Sequence, residues 1–183
     1  LTLLKRRRFR VGSREIPIYV SIRKKPPEAK VLKLLRKNEK NPAVAVDDDL
    51  GLMAVLNSEA DVKIFQNHLT QSASNADSFM ILEDISDTLT SGIHKGSSTG
   101  SSTKTEMLKF FARLGDARVE FIIHTNQSYL DYHYRHGVSH DEYEVRRIFD
   151  SGVAEFLFPK DIYQLDMLDL RERQVARYRD HGA

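Results

Sequence analysis

Met107-Leu108-Lys109-Phe110-Phe111-Ala112-Arg113-Leu114-Gly115-Asp116-Ala117-Arg118-Val119-Glu120-Phe121-Ile122-Ile123-His124-Thr125 is the stretch that decides the fold class. Two runs rich in aromatic and β-branched residues flank a Gly-Asp pair, which predicts strands over 107–114 and 118–125 joined by a tight turn. Along the second strand, alternation puts Val119, Phe121 and Ile123 on one face. Arg118, Glu120, Ile122 and His124 share the other. A glutamate midway along such a strand faces either solvent or a site.

Working outward, residues 126–136 and 140–149 read as helices separated by Gly137, and 161–180 as a last charged amphipathic helix. Upstream, 79–82 reads as a short strand. The Ser/Thr/Gly-rich segment 90–105 reads as a loop, in which Lys95 or Lys104 could meet a phosphate. Residues 58–69 read as a helix with Ser58 as N-cap and Asp61 three residues later, a variant of the capping box. The apolar runs 43–46 and 50–56 read as strands on either side of Asp47-Asp48-Asp49. Pro26-Pro27-Glu28 opens a helix to about Lys37. Residues 5–11 and 15–22 form a second hairpin around Gly12-Ser13. Strands, helices and hairpins in this order predict an α+β fold, a mixed sheet of about five strands flanked by helices.

At 183 residues with 40% apolar content, one domain can bury a core. The expected organisation is a single domain over 1–183: a basic hairpin (1–22), a core (23–150) and a C-terminal helix (151–183). With no cysteine, a disulfide scaffold, cysteine-ligated zinc, iron–sulfur clusters and thiol catalysis are excluded. No apolar run approaches the ~20 residues of a membrane span, and no signal-peptide pattern is present. The expected location is therefore cytoplasmic, with no membrane partner. The small net charge of +2 hides an asymmetry: residues 1–40 hold 14 Lys/Arg against three acids. Such a segment attracts phosphate, on a nucleotide or on nucleic acid, so residues 5–40 are a possible nucleic-acid contact.

Three segments carry the candidate chemistry. Asp47-Asp48-Asp49 interrupts an apolar run, and carboxylates there must be solvated, paired or metal-bound. They suit either a loop or a Mg²⁺ site at a strand end. Glu120 is a second, separated carboxylate. Arg23 and Lys25 precede a helix N-terminus and Lys33 lies about two turns into it, which suits either a phosphate cradle or a solvated basic helix start.

In order and spacing, these segments resemble the synthetase domain of RelA/SpoT-type alarmone (ppGpp) synthetases, which has a nucleotidyltransferase fold. The family pattern Arg-x-Lys-Ser-Pro-Glu-Ser, with a Lys four residues on, is similar to Arg23, Lys25, Pro26, Pro27, Glu28, Ala29 and Lys33. The family's Asp, two apolar residues, Gly, apolar, Arg resembles Asp48-Asp49-Leu50-Gly51-Leu52-Met53. Its Glu-x-Gln-Ile-Arg-Thr strand resembles Glu120-Phe121-Ile122-Ile123-His124-Thr125, and His136 follows at the family's spacing. The resemblance covers residues 20–150. It implies Mg²⁺-dependent transfer of pyrophosphate from ATP to the 3′-hydroxyl of a guanosine nucleotide or of another nucleotide or RNA acceptor. It further implies Asp48 and Glu120 as catalytic and metal-binding residues, with Arg23, Lys25, Lys33, His124 and His136 binding nucleotide; Lys95 of the 90–105 loop joins them as a candidate nucleotide phosphate contact. Met53, Ile122 and His124 depart from the pattern, and the family's Gly-Tyr-Arg-Ser loop has no match. The alternative expectation is a catalytically degenerate relative that binds nucleotide or RNA.

Other features weigh less. No Gly-x₄-Gly-Lys-Ser/Thr is present. His133, His136 and His140 have a helical metal-ligand spacing, but Gly137 interrupts it. Tyr129, Tyr132, Tyr134 and Tyr143 suit helix packing better than base stacking.

Overall fold

The computed structural model describes residues 4–46, 48–75, 80–89, 105–114, 117–135, 137 and 139–180. By its contacts the chain groups into two compact units. Among the described residues, the first combines 4–25, 48–75, 80–89, 105–114 and 117–129; the second combines 26–46, 130–135, 137 and 139–180.

The first unit is built on one mixed sheet of six strands. These are β1 (Lys5–Val11), β2 (Arg14–Lys24), β3 (Leu50–Leu56), β4 (Met80–Asp87), β5 (Leu108–Leu114) and β6 (Ala117–Thr125). Their order is β1-β2-β3-β6-β5-β4, in which only β3 and β6 pair in parallel. The fold is thus α+β with a mixed sheet, as expected. The sheet has six strands, and β4 runs on past 82 to Asp87. An irregularity between Glu83 and Ser86, with Asp84 at φ 50°, absorbs the extension.

Alternation decides the two faces of this sheet. Ile16, Ile18, Ala54, Leu56, Leu108, Phe110, Ala112, Phe121 and Ile123 project to one side and form the core with Val62 and Phe65 of α3 (Glu59–Asn75). The Phe110 and Phe121 rings stack with centroids 5.0 Å apart. The capping box at 58–61 forms. Ser58 Oγ accepts the Asp61 N–H, and it donates to Asp61 Oδ2 at 2.9 Å. Asp61 is itself buried and takes Arg14 Nη2 at 2.6 Å, fastening the β1–β2 hairpin to the start of α3.

The second unit is helical. It holds α1 (Pro27–Lys37), α2 (Pro42–Ala45), the end of α4 (Asn126–Tyr134), α5 (His140–Asp150), α6 (Val153–Leu157), α7 (Lys160–Tyr163) and α8 (Met167–Asp180). Pro27 opens α1, and Asn38 closes it in the left-handed region at φ 49°, donating its N–H to the Leu34 and Leu35 carbonyls. Glu142 of α5 is almost fully buried. It accepts the Gly137 N–H at 2.8 Å and two guanidinium bonds from Arg146.

Two expectations are corrected here. Residues 43–46 are not a strand: Pro42, with φ preset for helix, starts the single turn of α2, closed by Val46 N–H on the Pro42 carbonyl at 2.9 Å. Nor do residues 161–180 form one helix. Gln164 turns left-handed at φ 48°, and Asp166 Oδ1 then accepts the N–H groups of Leu168 and Asp169, capping a separate α8. The 90–104 loop and the Gly115-Asp116 turn lie outside the described residues. No helix among those described is long and apolar enough to cross a membrane.

Candidate active site

Registers across the other face of the sheet bring candidate residues together. Arg23 on β2 pairs with Gly51 on β3, and Gly51 pairs with Glu120 on β6. Paired positions share a face, so the Arg23 and Glu120 side chains meet across the glycine. Arg23 Nη2 donates to Glu120 Oε2 at 2.7 Å. A Cβ at position 51 would stand 3.1 Å from Arg23 Nε and 3.3 Å from its Cγ. The guanidinium therefore lies directly over Gly51, in space that a side chain would take. Glu120 is buried, whereas Arg23 is half-exposed.

Three residues before Gly51 stands Asp48. Its Oδ2 takes Lys25 Nζ at 2.5 Å, and both side chains are largely buried. The Lys25 backbone N–H also donates to the Asp49 carbonyl at 2.7 Å, holding the end of β2 beside the approach to β3. Each carboxylate expected from the sequence therefore faces a cation expected from the sequence. A buried ion pair of this kind costs several kcal/mol to break from one side, because the remaining charge is left without compensation.

Sequence reasoning missed Lys109. It follows Leu108 in an apolar strand, and its Nζ lies 3.0 Å from Glu120 Oε1 with both side chains buried. The available signal was a lysine in a run of apolar neighbours. Two cations thus bracket one carboxylate, and the trio carries a net positive charge. Beyond it the row continues through Phe111 to Glu83. Arg118 lies 3.7 Å from the Phe111 ring centroid, a cation–π contact. Hydrogen bonds from Arg113 and Arg118 hold the Glu83 carboxyl below the usual carboxylate range.

His124 stands on the same strand face, but it is fully buried. Its Nδ1 lies 3.2 Å from Ser128 Oγ. Ser128 in turn accepts the Thr125 N–H and donates its own N–H to Thr125 Oγ1, so this histidine sits in the reciprocal cap that turns β6 into α4. The ring is not exposed to a ligand in this structure. Lys33 stands on α1, in the helical unit. Lys95, His136 and Asp47 lie outside the described residues.

Among the described residues no three His, Asp or Glu side chains group as a metal cage. The donor set does suit Mg²⁺ brought in with a triphosphate. This hard cation takes one or two carboxylates, with phosphate and water oxygens completing its shell. The ammonium against Asp48 marks a carboxylate already set to hold a cation. Glu120 has one oxygen on Lys109 and the other on Arg23.

No family model matches the chain, and no curated protein matches it. Among solved structures it is similar to the small alarmone synthetase 1 from Bacillus subtilis, bound to its product pppGpp. The identity is 13% and the TM-score 0.45, over 88% of this chain and 74% of that one.

Proposed function

We propose that the chain is a nucleotidyltransferase-like enzyme transferring pyrophosphate from ATP to a nucleotide 3′-hydroxyl, a guanosine nucleotide or an RNA end. The row Arg23–Gly51–Glu120, with Lys25 on Asp48 beside it, carries this reading. It joins the three segments whose spacing resembles alarmone synthetases. Phosphoryl-type transfer depends mainly on positioning and charge neutralisation, which this row is equipped to supply.

In this reading Arg23 and Lys25 exchange their carboxylates for the phosphates of ATP. Asp48 would hold Mg²⁺, which neutralises charge developing on the phosphates. Once Arg23 turns to phosphate, Glu120 Oε2 is released to take the proton of the acceptor hydroxyl. The hydroxyl oxygen bonds to the β-phosphorus, the bond from the β-phosphorus to the α–β bridging oxygen breaks, and AMP leaves. Lys33, Lys95 and His136 enter on sequence grounds alone.

A second reading, nucleotide binding without turnover, is favoured by Met53 and Ile122. They occupy the next row, between Ser21 and Lys109, with apolar side chains. AMP release separates the two readings. ATP, Mg²⁺ and GDP, GTP, ADP or bulk tRNA are supplied in turn to the wild type and to Asp48→Asn. AMP formed with one acceptor, and lost in the variant, supports transfer. ATP binding without AMP for any acceptor supports the second reading.

A further inference from the structure

We infer that Lys109 is a positioning residue that sets how readily Arg23 is given up to a phosphate. The inference rests on the ATP-binding reading above. Glu120 links the two cations: Lys109 Nζ holds Oε1 at 3.0 Å, and Arg23 Nη2 is held by Oε2 at 2.7 Å. The two cations differ in freedom. Lys109 is buried, on a strand paired on both sides, and stays with its partner. Arg23 has a half-exposed side chain and hands only Nη2 to Glu120.

An incoming phosphate must compete with Glu120 for this guanidinium. Lys109 weakens that competition, since a carboxylate already neutralised at one oxygen attracts a second cation less at the other. Burial strengthens the coupling, because screening by water is poor there. Without the lysine charge, Glu120 would keep Arg23 to itself and phosphate affinity would fall. A merely structural lysine would instead support packing, with no linkage to Arg23.

The test is equilibrium titration with ATP of the wild type, Lys109→Gln, Lys109→Arg and the double variant Lys109→Gln/Glu120→Gln. Thermal unfolding of each is followed in parallel. Glutamine keeps a hydrogen-bond donor towards Glu120 but no charge. We expect Lys109→Gln to weaken ATP binding about tenfold, equivalent to about 1.4 kcal/mol. Lys109→Arg should stay within about threefold of wild type. The double variant should recover most of the loss, because a neutral amide no longer captures Arg23. That recovery is the readout a packing role would not produce. Equal ATP affinity for the wild type and Lys109→Gln overturns the inference, as does a double variant no better than the single one. If Lys109→Gln fails to fold, the double variant against Glu120→Gln gives the same decision: near-equal affinity supports the inference and a further loss overturns it. Should the wild type bind no ATP, the nucleotide reading fails. The same variants are then titrated with inorganic tripolyphosphate, where the same order supports the role of Lys109, and equal binding or none overturns it.

Discussion

Arg23 and Glu120 lie 97 residues apart in sequence and 2.7 Å apart in space, joined across Gly51 in a single row of three strands. The glycine leaves the volume in which the guanidinium rests. Gly51→Ala should therefore push Arg23 aside. The side chain is flexible and half-exposed, so the change in stability should stay within about 1 kcal/mol. ATP affinity should fall about three- to tenfold. Titration of ATP together with urea unfolding checks both, and an unchanged affinity would separate Gly51 from the site.

Asp48 and Lys25 satisfy each other at 2.5 Å. Asp48→Asn should reduce AMP release by about 10²–10³-fold, the scale of losing one preorganised charge partner. It should also have an opposite effect on metal-free ATP. With no carboxylate to hold it, Lys25 turns more readily to phosphate, and ATP in chelator should bind more tightly than to wild type. Weaker binding in chelator would mean that Asp48 contributes to ATP binding without any metal.

Asp61 ties the β1–β2 hairpin to α3 through Arg14 and Ser58. The carboxylate is buried, whereas the arginine is largely exposed. Asp61→Ala should cost about 2 kcal/mol, for a lost cap and a lost charged hydrogen bond. Arg14→Ala should cost less than about 1 kcal/mol, since exposed partners are well screened. Urea denaturation of the two variants reads the difference, and equal losses would contradict the asymmetry.

Acid should weaken the helical unit in two stages. Burial holds the His133 imidazole below its ordinary 6.5, opposed by Asp141 and reinforced by His140. The unfolded chain therefore takes up this proton at higher pH than the folded one. The corresponding stability is present above about pH 6.5 and is lost as pH falls towards the folded value. Asp141 lies below its ordinary 3.8, chiefly through its hydrogen bond with His140, so its contribution is lost only at still lower pH. His133→Gln should flatten the change in unfolding free energy between pH 7.5 and 5.5. An unaltered slope would contradict the assignment.

The strands of this sheet were readable because apolar residues recur at every second position and build one apolar face: Ile16 and Ile18 on β2, Phe121 and Ile123 on β6. Asp48 and Glu120 were readable as candidates because a carboxylate in or beside an apolar strand needs solvent, a partner or a metal, and Arg23 and Lys25 because two cations precede a helix N-terminus. The pairing itself was not readable, since it depends on registers set by contacts distant in sequence. Lys109 was missed for that reason: its chemistry appears only once β5 lies against β6. His124 was expected to contact nucleotide from the resemblance alone, and it lies fully buried. Its neighbour in the fold is the cap built by Thr125 and Ser128, with Ser128 Oγ 3.2 Å from its Nδ1. Residues 43–46 misled because two valines suggest a strand, while Pro42 decides for a helical turn.

The most direct test follows the β-phosphorus. The protein is incubated with Mg²⁺ and ATP labelled at that atom, with guanosine nucleotides and tRNA supplied in turn as acceptors, and the products are separated. Pyrophosphate transfer predicts label on one acceptor, with one AMP formed for each labelled molecule. Label that stays in ATP, or that appears only as free phosphate or pyrophosphate, would contradict it.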